Sequence, residues 1–362
     1  MAVTIFRSTD SGAPALPANA NYASANFYIG LIKACLVTGY GSKAGAGWST
    51  VYDDTTAGKR RAAFSNGNGC IEFISWGTQS VGMVIWDSIT APGVGRLYDD
   101  NFATVMSQGV NGWKSSLVAA PGISSDSINA IGLTNMHSGN VATLAWTIIA
   151  DDKSAWILFH YPTGHAQSAP SQPLSNTSTQ PQIFFGALKS PDLSRGQQGN
   201  FFLLNGARNA PTSANAAGSP NSWSWIIGLR TPLNTIPAVA NASFYNWAIW
   251  SQTIANMYVT NPRSSVRILQ PILIGYHGND VDKPTALAAA YAHYAFASLP
   301  GLAEFNEGGS VPNYNYWVYC NQDRGATWNM APYTINGLTW IPWLISGTYS
   351  NLAITDDPAW WA

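Results

Sequence analysis

The chain has 362 residues, enough for one large β-sandwich domain with an appended one or for two or three smaller domains. Only 10% of its residues are charged, against roughly 25% in an ordinary soluble domain. Its net charge of −1 and scattered basic residues lack the footprint of a nucleic-acid binder, so no nucleic-acid partner is expected.

The longest apolar runs, Ile268 to Tyr276 and Ala286 to Ala297, fall short of the ~20 residues a membrane helix needs, so no membrane partner is expected. The start, Met1-Ala2-Val3-Thr4-Ile5-Phe6-Arg7, has no basic segment leading into an apolar one, which points to a protein that folds where it is made. Cys35, Cys70 and Cys320 are odd in number and unpatterned, and are expected as buried free thiols. The surface is left to Asn, Ser, Thr, Gln, Gly and aromatic residues, a composition suited to closely packed, hydrogen-bonded contacts.

In chain order, residues 1–21 carry two prolines among small residues and read as an extended N-terminal arm able to cover a neighbour. From Asn26 to Val37, Phe27, Leu31 and Cys35 with Ile32 and Leu36 share one helical face, and Gly39 sits where a C-terminal cap would be. Strand runs follow at Ala62–Phe64, Ile71–Trp76 and Gly82–Trp86. Two further runs, Thr143–Ala150 and Ala155–His160, are joined by Asp151-Asp152-Lys153-Ser154 as a hairpin. More strands are expected at Gln182–Gly186, Asn200–Leu204, Trp223–Leu229, Ser243–Trp250 and Val266–Tyr276, separated by long Ser/Asn/Pro-rich loops at Ser168–Pro181 and Ala207–Ser222.

The Ala-rich segment from Lys283 to Phe296 has local helix character. The tail runs through Leu338–Ile345 to Trp360-Trp361, an apolar end expected to be docked. The fold class expected is mainly β, with antiparallel β-sandwich-type domains, a short N-terminal helix and one Ala-rich helix near the C-terminus. The domain division is an arm at 1–21, a β-rich main domain at 22–262 with an insertion-like region at 205–262, and a C-terminal β-rich segment at 263–362 packed on the main domain.

Catalytic chemistry finds little to stand on. Glu72, Glu304 and Glu307 are the only glutamates. The doublets Asp53-Asp54, Asp99-Asp100, Asp151-Asp152 and Asp356-Asp357 all fit turns in which Asp bonds its own backbone. No two histidines have the i, i+4 spacing of a helical metal site. The run Gly39 to Trp48 lacks the strand–loop–helix context and the Lys-Ser/Thr pair of a phosphate loop. Lys59-Arg60-Arg61 reads as a solvated turn. No catalytic residue, cofactor or metal is expected, and the chain reads as a non-enzyme.

The stretch Leu31-Ile32-Lys33-Ala34-Cys35-Leu36-Val37-Thr38-Gly39-Tyr40-Gly41-Ser42-Lys43-Ala44-Gly45-Ala46-Gly47-Trp48 resembles a recurring signature of virion structural proteins in tailed bacteriophages. Arg61-Ala62-Ala63-Phe64, Phe184-Phe185-Gly186, Leu299-Pro300-Gly301-Leu302 and the ending Leu352 to Trp360 fit the same resemblance. It implies a virion component, of the tail, baseplate or capsid surface, whose partners are further copies of itself and other phage virion proteins. It carries over no catalytic residues. Tyr40, Gly41, Lys43, Gly47, Trp48 and Trp360 are the interface or structural candidates, with Trp48 as an anchor for the close-packed loop. The alternative is a module that recognises a host-surface glycan through exposed Trp or Tyr. A glycan-depolymerising enzyme, which would need two convergent carboxylates, is the third and weakest reading.

Overall fold

The computed structural model describes residues 2–15, 25–55, 60–76, 80–92, 94–96, 145–160, 182–189, 194–206, 224–228, 247–249, 267–276, 297–307, 332–335, 337–343 and 352–362. The fold is mainly β, with antiparallel sheets and two short helices among these residues.

The strands are β1 (Thr4–Arg7), β2 (Ser49–Asp54), β3 (Arg61–Ser65), β4 (Cys70–Trp76), β5 (Ser80–Trp86), β6 (Ser88–Ala91), β7 (Val94–Arg96), β8 (Ala145–Ala150) and β9 (Ser154–His160). They continue as β10 (Gln182–Gly186), β11 (Phe202–Gly206), β12 (Ser224–Gly228), β13 (Trp247–Ile249), β14 (Arg267–Tyr276), β15 (Ala297–Glu307), β16 (Tyr333–Ile335), β17 (Leu338–Trp343) and β18 (Leu352–Thr355). Helix α1 spans Ala25–Lys33 and α2 spans Pro358–Trp361.

A twelve-stranded sheet has the order β1-β8-β9-β10-β11-β12-β13-β14-β15-β18-β17-β16; β2-β3-β4-β5 form a four-stranded sheet and β6-β7 a hairpin. Most neighbours are consecutive in sequence, as hairpin-connected antiparallel strands require.

Period-two alternation explains where the cores sit. Ile148, Ile157, Phe185 and Leu203 belong to one buried cluster, shared with α1 and the four-stranded sheet. Their chain neighbours Ile149, Trp156, Phe184 and Phe202 belong to a second cluster, shared with Leu299, Leu302, Ile341, Ile354 and Trp361. The middle of the large sheet is therefore buried on both faces. One face meets α1 and the small sheet, and the other meets β15, β17, β18 and α2.

Helix α1 and the turn that follows it bury Tyr28, Ile29, Leu31, Ile32, Cys35 and Leu36; of the face expected from the spacing, Leu31, Ile32, Cys35 and Leu36 are buried and Phe27 is half-buried. Its last turn, Ala34–Thr38, widens to π-helical bonding, in which the Gly39 amide reaches Ala34 O at 2.8 Å. Gly39, at φ +75°, then ends the helix where the sequence places a cap.

Two expectations change. Residues 1–21 read as an arm free to cover a neighbour, yet Thr4–Arg7 is a strand of the chain's own large sheet, with Phe6 fully buried. The Asp53-Asp54 doublet is not a turn but the end of β2. The Ala-rich segment 283–296, the Asp99-Asp100 doublet and the two long loops lie outside the described residues. Among the described residues, no helix is long and apolar enough to cross a membrane.

Candidate functional site

The signature loop lies between the C-terminal end of α1 and the start of β2, and its backbone is fastened to the helix end. Ala46 N donates to Cys35 O at 3.0 Å and Trp48 N to Leu36 O at 3.1 Å, while Tyr40 and Lys43 close a two-way backbone bridge.

Gly41 and Gly47 are needed for shape. Gly41 has φ +56°, and a Cβ there would stand 2.2 Å from Ser11 O; Gly47 has φ +98° and lies against Asp152.

The first function of the loop is to close a sheet edge. Ser8 N bonds Trp146 O at 3.0 Å, so ladder alternation turns the backbone groups of Ile5 and Arg7 outward, away from β8. An edge strand with open N–H and C=O groups is a template for unwanted pairing. Here Lys43 Nζ donates to Ile5 O at 2.5 Å, and the Arg7 amide donates to Tyr40 OH at 3.1 Å and to Asp10 Oδ2 at 2.7 Å. The same Asp10 oxygen accepts from Tyr40 OH at 2.8 Å and from Lys43 Nζ at 2.6 Å.

Partial burial works to raise the Asp10 carboxyl, but the hydrogen bonds from Lys43, the Arg7 amide and Tyr40 outweigh it and hold the group below its ordinary range. Burial and the neighbouring carboxylate push the Tyr40 phenol upward, so it stays protonated and donating. The Cys35 thiol below is also pushed up by burial, which keeps it neutral and inert.

The second function belongs to Trp48, which is 4% exposed. Its indole stacks edge-on against Phe185 and Phe201 at 5.4 and 5.9 Å, and its Nε1 donates to Asp151 O at 2.9 Å. Asp151 sits in the β8–β9 turn, where its Oδ1 accepts from Lys153 N and Ser154 N at 2.8 and 2.7 Å, the self-bonded turn expected of this doublet.

The Asp151 carboxylate also accepts from Arg195 Nη1 and Nη2 at 2.9 and 3.2 Å. Arg195 in turn donates to Trp361 O at 2.5 Å, and Lys189 donates to Trp360 O at 3.3 Å. Trp360 packs edge-on against Trp340 at 5.2 Å, and Trp361 Nε1 bonds Thr355 O at 2.7 Å. The apolar C-terminal end is docked, as its sequence led one to expect.

Of the six candidates, Tyr40, Gly41, Lys43, Gly47 and Trp48 form one structural clasp. Trp360 stands apart from it, at the C-terminal helix. The sequence reading missed Asp10 and Arg195, and it read Asp151 as a turn residue without its bonds to Trp48 and Arg195. Asp10 lies 33 positions from Lys43 and Asp151 lies 103 from Trp48, and no local pattern announces such pairs.

The solvated-turn reading is also corrected for Arg60 and Arg61, while Lys59 lies outside the described residues. Arg60 clamps Asp53 through Nε and Nη2 at 2.8 and 2.7 Å, with Lys33 Nζ on the same carboxylate at 2.7 Å. Arg60, partly offset by burial and aided by Lys33, holds the Asp53 carboxyl at about 2. Arg61 bonds the fully buried Glu72 carboxylate, Nε to Oε1 at 2.8 Å and Nη2 to the same oxygen. Tyr52 OH also donates to Glu72 Oε1, and Trp86 Nε1 donates to Oε2 at 3.0 Å. Both oxygens of the one glutamate whose side chain is described are thus held by the chain's own donors.

Among the described residues, no group of three His, Cys, Asp or Glu comes together as metal ligands would. Trp48, Trp86, Trp146, Trp156, Trp340 and Trp361 are buried and cannot stack on a sugar. No family model matches the chain, and no curated protein matches it.

Proposed function

We propose that the chain is a non-enzymatic structural component of a tailed-phage virion, in its tail, baseplate or capsid surface, acting through protein–protein interfaces. The observation that carries this reading is the fate of the signature loop, the segment on which the family resemblance rests. Its Tyr, Lys and Trp are consumed in holding the chain together, and its glycines at positive φ serve close backbone approach. Such a loop gives a subunit a rigid frame, while a sparsely charged, amide- and hydroxyl-rich surface favours contact with copies of itself and with neighbouring virion proteins. The localisation that follows is the particle, after synthesis in the host bacterial cytoplasm.

Deleting the coding sequence from the phage genome tests this. Assembly is expected to stop at a defined incomplete particle visible by electron microscopy, with rescue by the chain supplied in trans. Complete, infectious particles without the chain would contradict the proposal.

A further inference from the structure

The four-stranded sheet poses a register problem. Ala62, Ala63 and Phe64 of β3 and Ile71, Glu72 and Phe73 of β4 are all fully buried, so both faces of the central strands are covered. Where one face is wet, a one-residue slip is penalised because it exposes every apolar side chain; a sheet buried on both faces loses much of that penalty. Strand β2 is at the sheet's edge and is held by a neighbour on one side only within that sheet.

The pairing of β2 with β3 contains one irregularity. Thr50 lies opposite Phe64, but Tyr52 lies opposite Ala63, so Val51 is an inserted residue. In a regular ladder Val51 would face Ala63, Tyr52 would face Ala62, and Asp53 would face Arg61. The insertion therefore exchanges the faces of Tyr52 and Asp53.

Each lands on a partner. Ala63 is opposite Glu72, so Tyr52 joins the row of Glu72 and donates to its carboxylate, beside Arg61 and Trp86. One side chain comes from each of the four strands. Ala62 is opposite Phe73, whose ring stacks on Phe185 of the large sheet at 5.7 Å, so Asp53 is on the inner face. There it meets Lys33 of α1 and Arg60. Without the insertion both contacts would be lost together.

We infer that the Val51 bulge with its two anchors, Tyr52 on Glu72 and Asp53 on Lys33 and Arg60, is a two-sided pin that sets the register of edge strand β2. A buried polar group that fixes pairing at some cost in stability has its best-attested role in register control. Removing one anchor leaves the other to hold the bulge, whereas removing both lets β2 shift by one residue.

The test is cross-strand NMR on the full chain with selective Ala, Val, Tyr and Phe labelling, comparing Tyr52→Phe, Asp53→Ala and the double variant. Each single variant is expected to keep the contact between residue 52 and Ala63. The double variant is expected to lose more than about half of that signal and to gain one between residue 52 and Ala62, since a bulge sets which residue opposes which. The Glu72→Leu/Asp53→Ala pair removes the first anchor from its other end and should slip in the same way. Full retention of the native contact in both double variants would overturn the inference. So would a slip in either single variant, or a loss of all β-structure in the doubles, since the pin sets register and not the fold.

Discussion

Trp48 and Asp53 are the side chains whose removal should be felt most directly. Trp48→Ala deletes two edge-on aromatic contacts and the bond to Asp151 O, leaving a void between α1, β10 and the β8–β9 turn. Truncation of a buried Trp costs about 3–5 kcal/mol, and denaturant unfolding followed by far-UV circular dichroism should show a loss of that order. Asp53 carries a pH signature. Its folded-state value of about 2 lies below its unfolded one, so its ion pairs add stability above the unfolded value of roughly 4, and that contribution is lost as pH falls toward 2. The contribution at neutral pH is on the order of 2 kcal/mol. Melting curves of the native chain and of Asp53→Asn should differ at pH 7 and converge near pH 2; a constant gap across that range would contradict the assignment.

At the scale of the element, the N-terminal strand shows how a short, exposed edge is made safe. β1 contributes Phe6 to one core and Ile5 to the edge of the other, but its outward backbone groups depend on Lys43, Tyr40 and Asp10. Lys43→Met with Tyr40→Phe leaves Ile5 O without its lysine donor, removes the phenol acceptor of the Arg7 amide, and takes from Asp10, the amide's other acceptor, both side-chain donors that hold it in place. Amide exchange at Arg7 is expected to speed up at least about tenfold, a shift of about 1.4 kcal/mol in local opening, while exchange in β9 and β10 stays unchanged. Equal acceleration in all three strands would mean that the pair supports global stability and not this edge. The C-terminal element has a different economy. Asp357 caps α2 by accepting from Ala359 N at 2.9 Å, Pro358 opens it, and Arg195 and Lys189 take its last carbonyl groups.

Across the whole molecule, what the sequence made legible follows burial. Strands buried on both faces, such as β9 and β10, have unbroken apolar centres, Ala155–Phe159 and Ile183–Phe185, β4 has the same kind of run interrupted by Glu72, and α1 has a periodic apolar stripe with a glycine stop. β1 and β2 were not legible. Thr4–Arg7 is only four residues long in a proline-containing segment, and Ser49–Asp54 is half polar with two carboxylates at its end. β15 carries Pro300 and Gly301 in its middle, which punctuate a sequence as a turn does, yet Gly301 is there because Trp361 Nε1 would lie 2.5 Å from any Cβ. The signature loop could be singled out from its residues, but its role depends on Asp10 and Asp151, which only the folded chain brings to it. The Asp and Arg residues followed local rules in part: Asp151 caps a turn and Asp357 a helix, while Asp53, Arg60 and Arg61 form longer-range ion pairs.

The proposed role makes the particle the place to look. A reconstruction of the purified virion, with quantitative mass spectrometry of the same particles, tests it most directly. The chain is expected in a fixed, symmetry-related copy number, with Tyr40, Lys43 and Trp48 turned into each subunit and the sparsely charged surface covered by neighbours. Particles washed free of the chain, with full infectivity and no density for it, would contradict a structural role in the virion.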